Sequence, residues 1–399
     1  RYYMTIKYSI VIPTRNRGEY LPYAIKSVLD SPRDDIELIV SNNFSTDNTS
    51  EILSKITDPR LKVVGPNLSL PMAGHYEFAI SHAKGKWITI LGDDDAVMPY
   101  IFETLDKHIK KYPQIDIISS VRSYFFWKGC EDFYGDIVVN YTSKQKTKIR
   151  STKKDLMLVL KGLKSCYDMP QLYTTCVIKR SLYKEIKTNS NGCFYHSIIP
   201  DMYSIVAICL SRDKYLRVEE PLFWVGTSNR SLGRSDRIYK DAEQFKNKNL
   251  SENKCVPKKI SDKVSYLLHS NKFSSMYIFE CLLQSPLKKQ LFSQDNIRNI
   301  VLSSILFMSR NRKKIEKDLI IKEILLECKC YGISYKNLYL TSYYLRLNKL
   351  IMDIIKFIER FFIKTKIKSS NRIKFPTILD ASILVTNIVK KNKFEKIEN

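Results

Sequence analysis

The sequence predicts an α/β protein: a mostly parallel sheet with helices on both faces, followed by an α-helical C-terminal region. Three observations lead there. Short apolar runs alternate with helically spaced segments through the first half of the chain. Eleven of the twelve glycines lie in the first 250 residues, leaving only Gly332 beyond. The rest of the chain is rich in Leu, Ile and Lys at helical spacing.

The elements follow in order. YSIVIPT (8–14) is a short apolar strand, and GEYLPYAIKSVLD (18–30) a helix with Leu21, Ala24, Ile25, Val28 and Leu29 on one face. IELIVSNN (36–43) is a second strand, and TDNTSEILSKI (46–56) a helix for Ser45 or Thr46 to cap. RLKVVGP (60–66), MAGHYEFAISHAKG (72–85) and KWITILG (86–92) add a strand, a helix and a strand. Repeated β-α units of this length imply parallel strands covered by helices.

In such sheets ligands gather at the carboxyl ends of the strands. Three polar clusters fall there: PTRNR (13–17), SNNFSTD (41–47) and GDDD (92–95). Asp93, Asp94 and Asp95 are adjacent like charges, tolerated where water or a cation screens them. Carboxylate oxygens suit hard divalent ions such as Mg2+ or Mn2+. The other reading is a solvated turn capping the helix that starts near Pro99. Convergence with the other two clusters favours the cation.

Composition bounds the rest. The chain has 399 residues, 44% hydrophobic and 12% aromatic, ample for a core and more than one domain. Its net charge is +25, and residues 251–399 hold 29 Lys+Arg against 13 Asp+Glu. Residues 1–240 are expected to form the α/β domain, the polar stretch 241–258 a linker, and 259–399 a basic helical domain. Nine cysteines without zinc-like spacing suit a reducing cytoplasm, as small apolar fillers. Lys7, Arg15 and Arg17 bracket an apolar run too short for a cleavable leader. No run of about 18 uncharged apolar residues occurs, so a spanning helix is not expected.

SIVIPTRNRGEYLPYAIKSVL, IELIVSNNFSTDNT and AKGKWITILGDDDAVMP together resemble the family 2 glycosyltransferases in order, spacing and strand-end placement. The likeness is close over the first 110 residues or so and looser to about residue 235. It implies a GT-A (Rossmann-like) fold and transfer of a sugar from a nucleotide-sugar, UDP-linked, to an acceptor with inversion. Asp94 falls on the metal-ligating aspartate ending the family's DxD motif, with Asp93 and Asp95 beside it to bind ribose, metal or water. The metal ligands implied are Asp94 and Asp95, and the cofactor Mn2+ or Mg2+, whose charge stabilises a diphosphate leaving group. Gly92 stands where the motif's first aspartate usually sits.

The same resemblance implies donor contacts from Pro13, Thr14, Arg15, Asn43, Met72, His75, Asp93 and Asp94. Arg15 replaces an aromatic and can stack on a base or reach a phosphate. Asn42 and Asn43 replace an acidic pair; they can pair with a base edge, or simply shape the turn. His75 faces the donor or is a packed helix residue. Asp201, after Pro200 in CFYHSIIPDMYSIVAICLSRDKYLRV (193–218), falls on the family's general base; the other reading is a helix cap. His196 and Glu185 are weaker candidates. EPLFWVGTSNRSLGRSD (220–236) resembles the donor-side loop, with Ser228, Arg230 and Ser231 placed to close over phosphates.

The tail suggests other roles. A helix over 345–368 sets Lys349, Asp353, Lys356, Arg360 and Lys364 opposite Leu350, Ile351, Ile354, Ile355, Phe357, Ile358, Phe361 and Phe362. Such a helix lies in an anionic membrane interface, or packs on its own domain. Nucleic acid is not an expected partner, because only charge suggests it and no recognition signature accompanies the lysines. The competing function is a basic membrane- or nucleic-acid-binding protein on an inactive GT-A scaffold, against which Asp94 and Asp201 argue. The expected acceptor is a surface glycan or lipid-linked saccharide, and the expected location cytoplasmic, on the inner face of the plasma membrane.

Overall fold

The computed structural model describes residues 5–130, 137–140, 147–197, 199–231, 274–287, 294–362, 366–368 and 377–394; the expected linker, 241–258, lies outside them. Strands β1 (Tyr8–Thr14), β2 (Ile36–Asn42), β3 (Leu61–Val64) and β4 (Trp87–Ile90) alternate with helices α1 (Leu21–Leu29), α2 (Thr49–Ser54) and α3 (Met72–Ser81). All seven residues of β1 are buried, because it pairs in parallel with β2 on one side and β4 on the other. A strand covered on both faces reads as a continuous apolar run. Its register sets Pro13 beside Ser41 and Thr14 beside Asn42, so the polar clusters meet at one rim of the sheet.

The cap of α2 differs from expectation. Ser45 and Thr46 turn to the loop after β1, where Asn16 N–H donates to Ser45 Oγ at 2.9 Å and Thr46 N–H donates to Asn16 Oδ1 at 2.7 Å. The Asp47 carboxylate takes the Thr49 N–H instead, at 3.1 Å.

Beyond this unit come β5 (Ala96–Val97), α4 (Ile101–Lys111), β6 (Ile117–Ser120), β7 (Ser123–Phe126), β8 (Ile137–Asn140), β9 (Lys148–Ser151) and α5 (Thr152–Leu160). β10 (Cys176–Lys179), α6 (Arg180–Asn189), α7 (Pro200–Ser211), β11 (Lys214–Val218) and β12 (Phe223–Thr227) complete the first part. The main sheet runs β3-β2-β1-β4-β10-β6-β11-β9, with β10 antiparallel between β4 and β6. A smaller sheet holds β8, β7, β12 and β5 together with β13 (Lys366–Lys368).

The C-terminal helices are α8 (Ser274–Gln284), α9 (Gln294–Ser309), α10 (Lys314–Tyr331), α11 (Tyr335–Phe362) and α12 (Ile378–Phe394). Their described parts do not form a core of their own. Met276, Phe279, Ile305 and Ile324 share one apolar cluster with Ile205 and Ile208 of α7. Ile378, Ala381 and Val385 share the other with Leu21 and Ile25, and Trp224 Nε1 donates to Ser382 Oγ at 2.8 Å. On α11, Leu338 and Leu345 are buried, whereas Leu340, Tyr344, Leu347, Leu350, Ile351, Ile354 and Ile355 are exposed. Among the described residues, no helix is long and apolar enough to cross a membrane. Cys130, Cys166, Cys176, Cys209, Cys281 and Cys328 are buried free thiols, as fillers should be, but Cys193 is disulfide-bonded, which departs from the expectation.

Candidate active site

The three aspartates have three different environments. Asp93 Oδ2 accepts the Thr14 hydroxyl at 2.8 Å, and Arg17 Nε stands 3.6 Å from Oδ1. Burial, and next the charge of Asp94, push the Asp93 carboxyl up to about 7. Asp94 Oδ2 accepts two hydroxyls, from Ser228 and Ser231, each at 2.7 Å. Trp127 Nε1 donates to the Asp94 carbonyl at 2.9 Å and fixes its backbone. Arg230 Nη1 donates to Asn16 O at 3.0 Å, and Arg17 donates to the Arg230 carbonyl, so the loop after β12 lies across the acids and the end of β1.

Asp95, the other expected metal ligand, has both carboxylate oxygens engaged inside the fold. Its Oδ2 accepts the Gly92 N–H at 3.0 Å and the Thr174 hydroxyl, and its Oδ1 accepts the Gly226 N–H at 2.6 Å. Both oxygens thus tie the end of β4 to the strands beside it. Thr174 makes this contact from φ +41°, an uncommon backbone state for a β-branched residue. The glycine at the motif's first position has a steric cause. A Cβ on Gly92 would lie 2.3 Å from Asp95 Oδ2 and 2.5 Å from the Tyr173 hydroxyl.

The expected donor contacts divide. Pro13 and Thr14 are buried at the end of β1, Arg15 is exposed beside them, and Met72 is half-buried at the start of α3. Asn43 is committed elsewhere: its Nδ2 donates to Leu70 O at 2.7 Å and its Oδ1 accepts Leu70 N–H at 2.9 Å. It braces the 67–71 loop and has no free edge for a base. His75 is also turned inward, with Nε2 at 2.9 Å from Ser41 Oγ and 3.1 Å from Ser41 O. Burial holds its imidazole down to about 4, so it is neutral. It packs α3 onto β2, the second of the two readings its sequence position allowed.

Asp201 lies in the first turn of α7, but Ile199 occupies the N-cap, and Tyr203 N–H donates to the Ile199 carbonyl at 3.0 Å. Asp201 is half-buried, its Oδ2 accepts Gln171 Nε2 at 2.9 Å, and burial raises its carboxyl above the usual range. Tyr76 and Tyr173, stacked with centroids 6.1 Å apart, feel the charges of all the Asp93–Asp95 carboxylates, and Tyr76 also that of Asp201. Burial keeps both phenols protonated. The segment leading to α7 is held by Glu77, whose Oε2 accepts Phe194 N–H at 2.9 Å. The weaker base candidates are structural. His196 Nε2 contacts the Ser190 and Cys193 carbonyls at 2.9 and 3.1 Å, and Glu185 is gripped by Arg212 at 2.6 and 2.7 Å.

Gln171, Thr174, Tyr173 and Arg122 escaped the sequence reading, having no motif around them. Tyr76 directly follows His75, one of the expected donor contacts.

No group of three or more His, Cys, Asp or Glu among the described residues is set to hold a metal by itself. Asp94 nevertheless fits a hard divalent ion in its chemistry: a carboxylate oxygen beside a second carboxylate, met by two hydroxyls among the described residues.

A mainly parallel sheet that delivers acids to the ends of its central strands, with a further carboxylate in the first turn of a helix, is a GT-A-type fold. Residues 9–157 match the model for "Glycosyl transferase family 2", and this segment belongs to that family. Glycosyltransferase GlyG of Streptococcus pneumoniae is 31% identical over 128 residues, which are 32% of this chain and 42% of that protein. A Campylobacter jejuni GalNAc(5)-diNAcBac-PP-undecaprenol beta-1,3-glucosyltransferase is 32% identical over 102 residues, 25% of this chain and 33% of the relative. The Escherichia coli UDP-Glc:alpha-D-GlcNAc-diphosphoundecaprenol beta-1,3-glucosyltransferase WfaP is 33% identical over 87 residues, 22% and 35% of the two chains. The matched part thus spans less than half the length of each of these relatives.

Proposed function

We propose that this protein is an inverting glycosyltransferase using a UDP-sugar and a lipid-linked or surface-glycan acceptor. The observation that carries the reading is that two acidic centres, Asp93–Asp95 and Asp201, lie within electrostatic reach of one side chain, Tyr76. Asp93 and Asp94 crowd at the strand ends, while Asp201, whose proton affinity burial raises, lies in the first turn of α7. Separated carboxylates of this kind suit separate tasks, one on the leaving group and one on the nucleophile.

Asp201 takes the proton of the acceptor hydroxyl as that oxygen attacks the anomeric carbon from the face opposite the diphosphate. The bond to the nucleoside diphosphate breaks, and the electron pair leaves with it. A divalent ion, Mn2+ or Mg2+, held by Asp94 with Asp93 beside it, would supply positive charge against the departing phosphates. Arg15 and Arg230 stand at the same rim to add to that charge. The names of the Campylobacter and Escherichia relatives support a UDP-sugar and a polyprenyl-diphosphate acceptor.

The exposed apolar side of α11 supports docking to an anionic membrane, where such an acceptor resides. Lys336, Arg346 and Lys349 flank that side, with no acid before Asp353.

The test is a thermal-shift screen of nucleotide-sugars with Mn2+, followed by turnover of the best binder. Asp201→Asn should lower transfer by roughly two to four orders of magnitude with donor affinity retained. Transfer near wild type in that variant, with melting unaltered, removes Asp201 as the base.

A further inference from the structure

Gln171 stands between a cation and an anion. Its Nε2 donates to Asp201 Oδ2 at 2.9 Å, and its Oε1 accepts from Arg122 Nη2. The orientation of the amide follows from its partners, since a guanidinium only donates and an ionised carboxylate only accepts. Gln171 and Arg122 are 1% and 9% exposed, so their mutual bond is shielded from water, while the bond to half-buried Asp201 is shielded on the Gln171 side. The Tyr167 ring lies over the Arg122 guanidinium at 4.8 Å and covers it. A second thread holds the same segment to α7: Leu172 N–H donates to Ser204 Oγ at 3.0 Å, and Ser204 Oγ donates to Asp201 O at 2.6 Å.

We infer that Gln171 is a positioning residue for the base of the transfer reaction, a hydrogen-bond relay between Arg122 and Asp201 that fixes the carboxylate. The inference rests on the reading of Asp201 as base given above. Glutamine suits the place for a physical reason. An arginine in direct contact would pull a carboxyl down by about one to three pH units and make it a poor proton acceptor. An interposed amide keeps the cation one residue away, orients the carboxylate and leaves it basic. The groups facing Asp201 are Gln171 and Arg122, Tyr76 of α3, Tyr167, Tyr195 before α7, and Cys281 of α8. Arg122 is the cation of this set, and burial keeps the phenols and the thiol neutral. Arg122 lowers the Asp201 carboxyl through space, and the Gln171 amide between them adds its own hydrogen bond in the same direction.

The test is a 13C carboxyl NMR titration of the full chain labelled at aspartate, with the Asp201 signal assigned by its loss in Asp201→Asn. Gln171→Leu should raise the Asp201 midpoint by roughly one pH unit, and Gln171→Glu by more, because it adds a second carboxylate. Arg122→Gln should move it in the same direction. In hydrolysis of UDP-glucose with Mn2+, the acid limb of kcat should follow the midpoint while the KM for UDP-glucose stays constant. An unmoved midpoint in Gln171→Leu, with wild-type melting, overturns the relay. If Gln171→Leu does not fold, Gln171→Glu and Arg122→Gln make the same comparison. Hydrolysis indifferent to Asp201→Asn would instead overturn the base, while the NMR midpoint would still judge the relay.

Discussion

Gly226 passes so close to Asp94 that a methyl group on it would lie 1.7 Å from the Asp94 carbonyl oxygen. The same glycine donates its N–H to Asp95 Oδ1, so β12 and the acid motif are fitted to each other through one residue without a side chain. Gly226→Ala is therefore expected to cost about 2 kcal/mol or more through backbone overlap, and to displace Asp94. Thermal melting and calorimetric Mn2+ binding in the presence of UDP check both effects. Wild-type values for both would show that the contact relaxes freely.

Neighbouring aspartates should respond in opposite ways. Asp94→Asn should abolish Mn2+ binding and transfer while melting persists, since among the described residues the Asp94 carboxylate is met by hydroxyls, which an amide can also engage. Asp95→Asn should instead lower stability by roughly 1–3 kcal/mol, because an amide cannot accept from all three of its buried donors. Equal loss of metal affinity without loss of stability in Asp95→Asn would return Asp95 to the ligand set.

His75 should make stability depend on pH below neutrality. Its folded pKa, about 4, lies below the usual 6.5, so the unfolded chain takes up the proton first as pH falls. The contribution is complete above about pH 6.5 and is lost toward pH 4, at most about 3 kcal/mol. His75→Gln keeps a donor for the Ser41 carbonyl and removes the titration. Its melting curve should change less between pH 7 and pH 4.5 than that of the wild type. Parallel losses in the two proteins would contradict the assignment.

The membrane reading is tested by substitution and not by truncation. Removing everything after residue 250 would strip Met276, Phe279 and Ile305 from a cluster that α7 completes, so it would confuse folding with binding. Leu347→Asp with Ile351→Asp changes exposed positions of α11 only. Association with phosphatidylglycerol-containing vesicles should fall tenfold or more, and the wild-type association should weaken with salt. Equal pelleting of the two proteins would leave α11 without that role.

The sequence alone determined the β-α alternation of the first hundred residues, because each strand and helix there buries its own periodic apolar face. It also determined that the acids sit at the strand ends, since that follows from element order. It did not divide the labour among Asp93, Asp94 and Asp95, which are chemically identical in a linear reading. Their partners come from Thr14, from Ser228 and Ser231, and from Thr174 and Gly226, each far along the chain. Asn43 and His75 show the converse: motif position placed them near the donor, but Leu70 and Ser41 take their hydrogen-bonding groups inside the fold. Gln171 had no sequence signal at all, because its place depends on a buried arginine 49 residues before it and a carboxylate 30 residues after. Only packing brings those three together, since a buried donor or acceptor takes whichever partner the tertiary structure sets within reach.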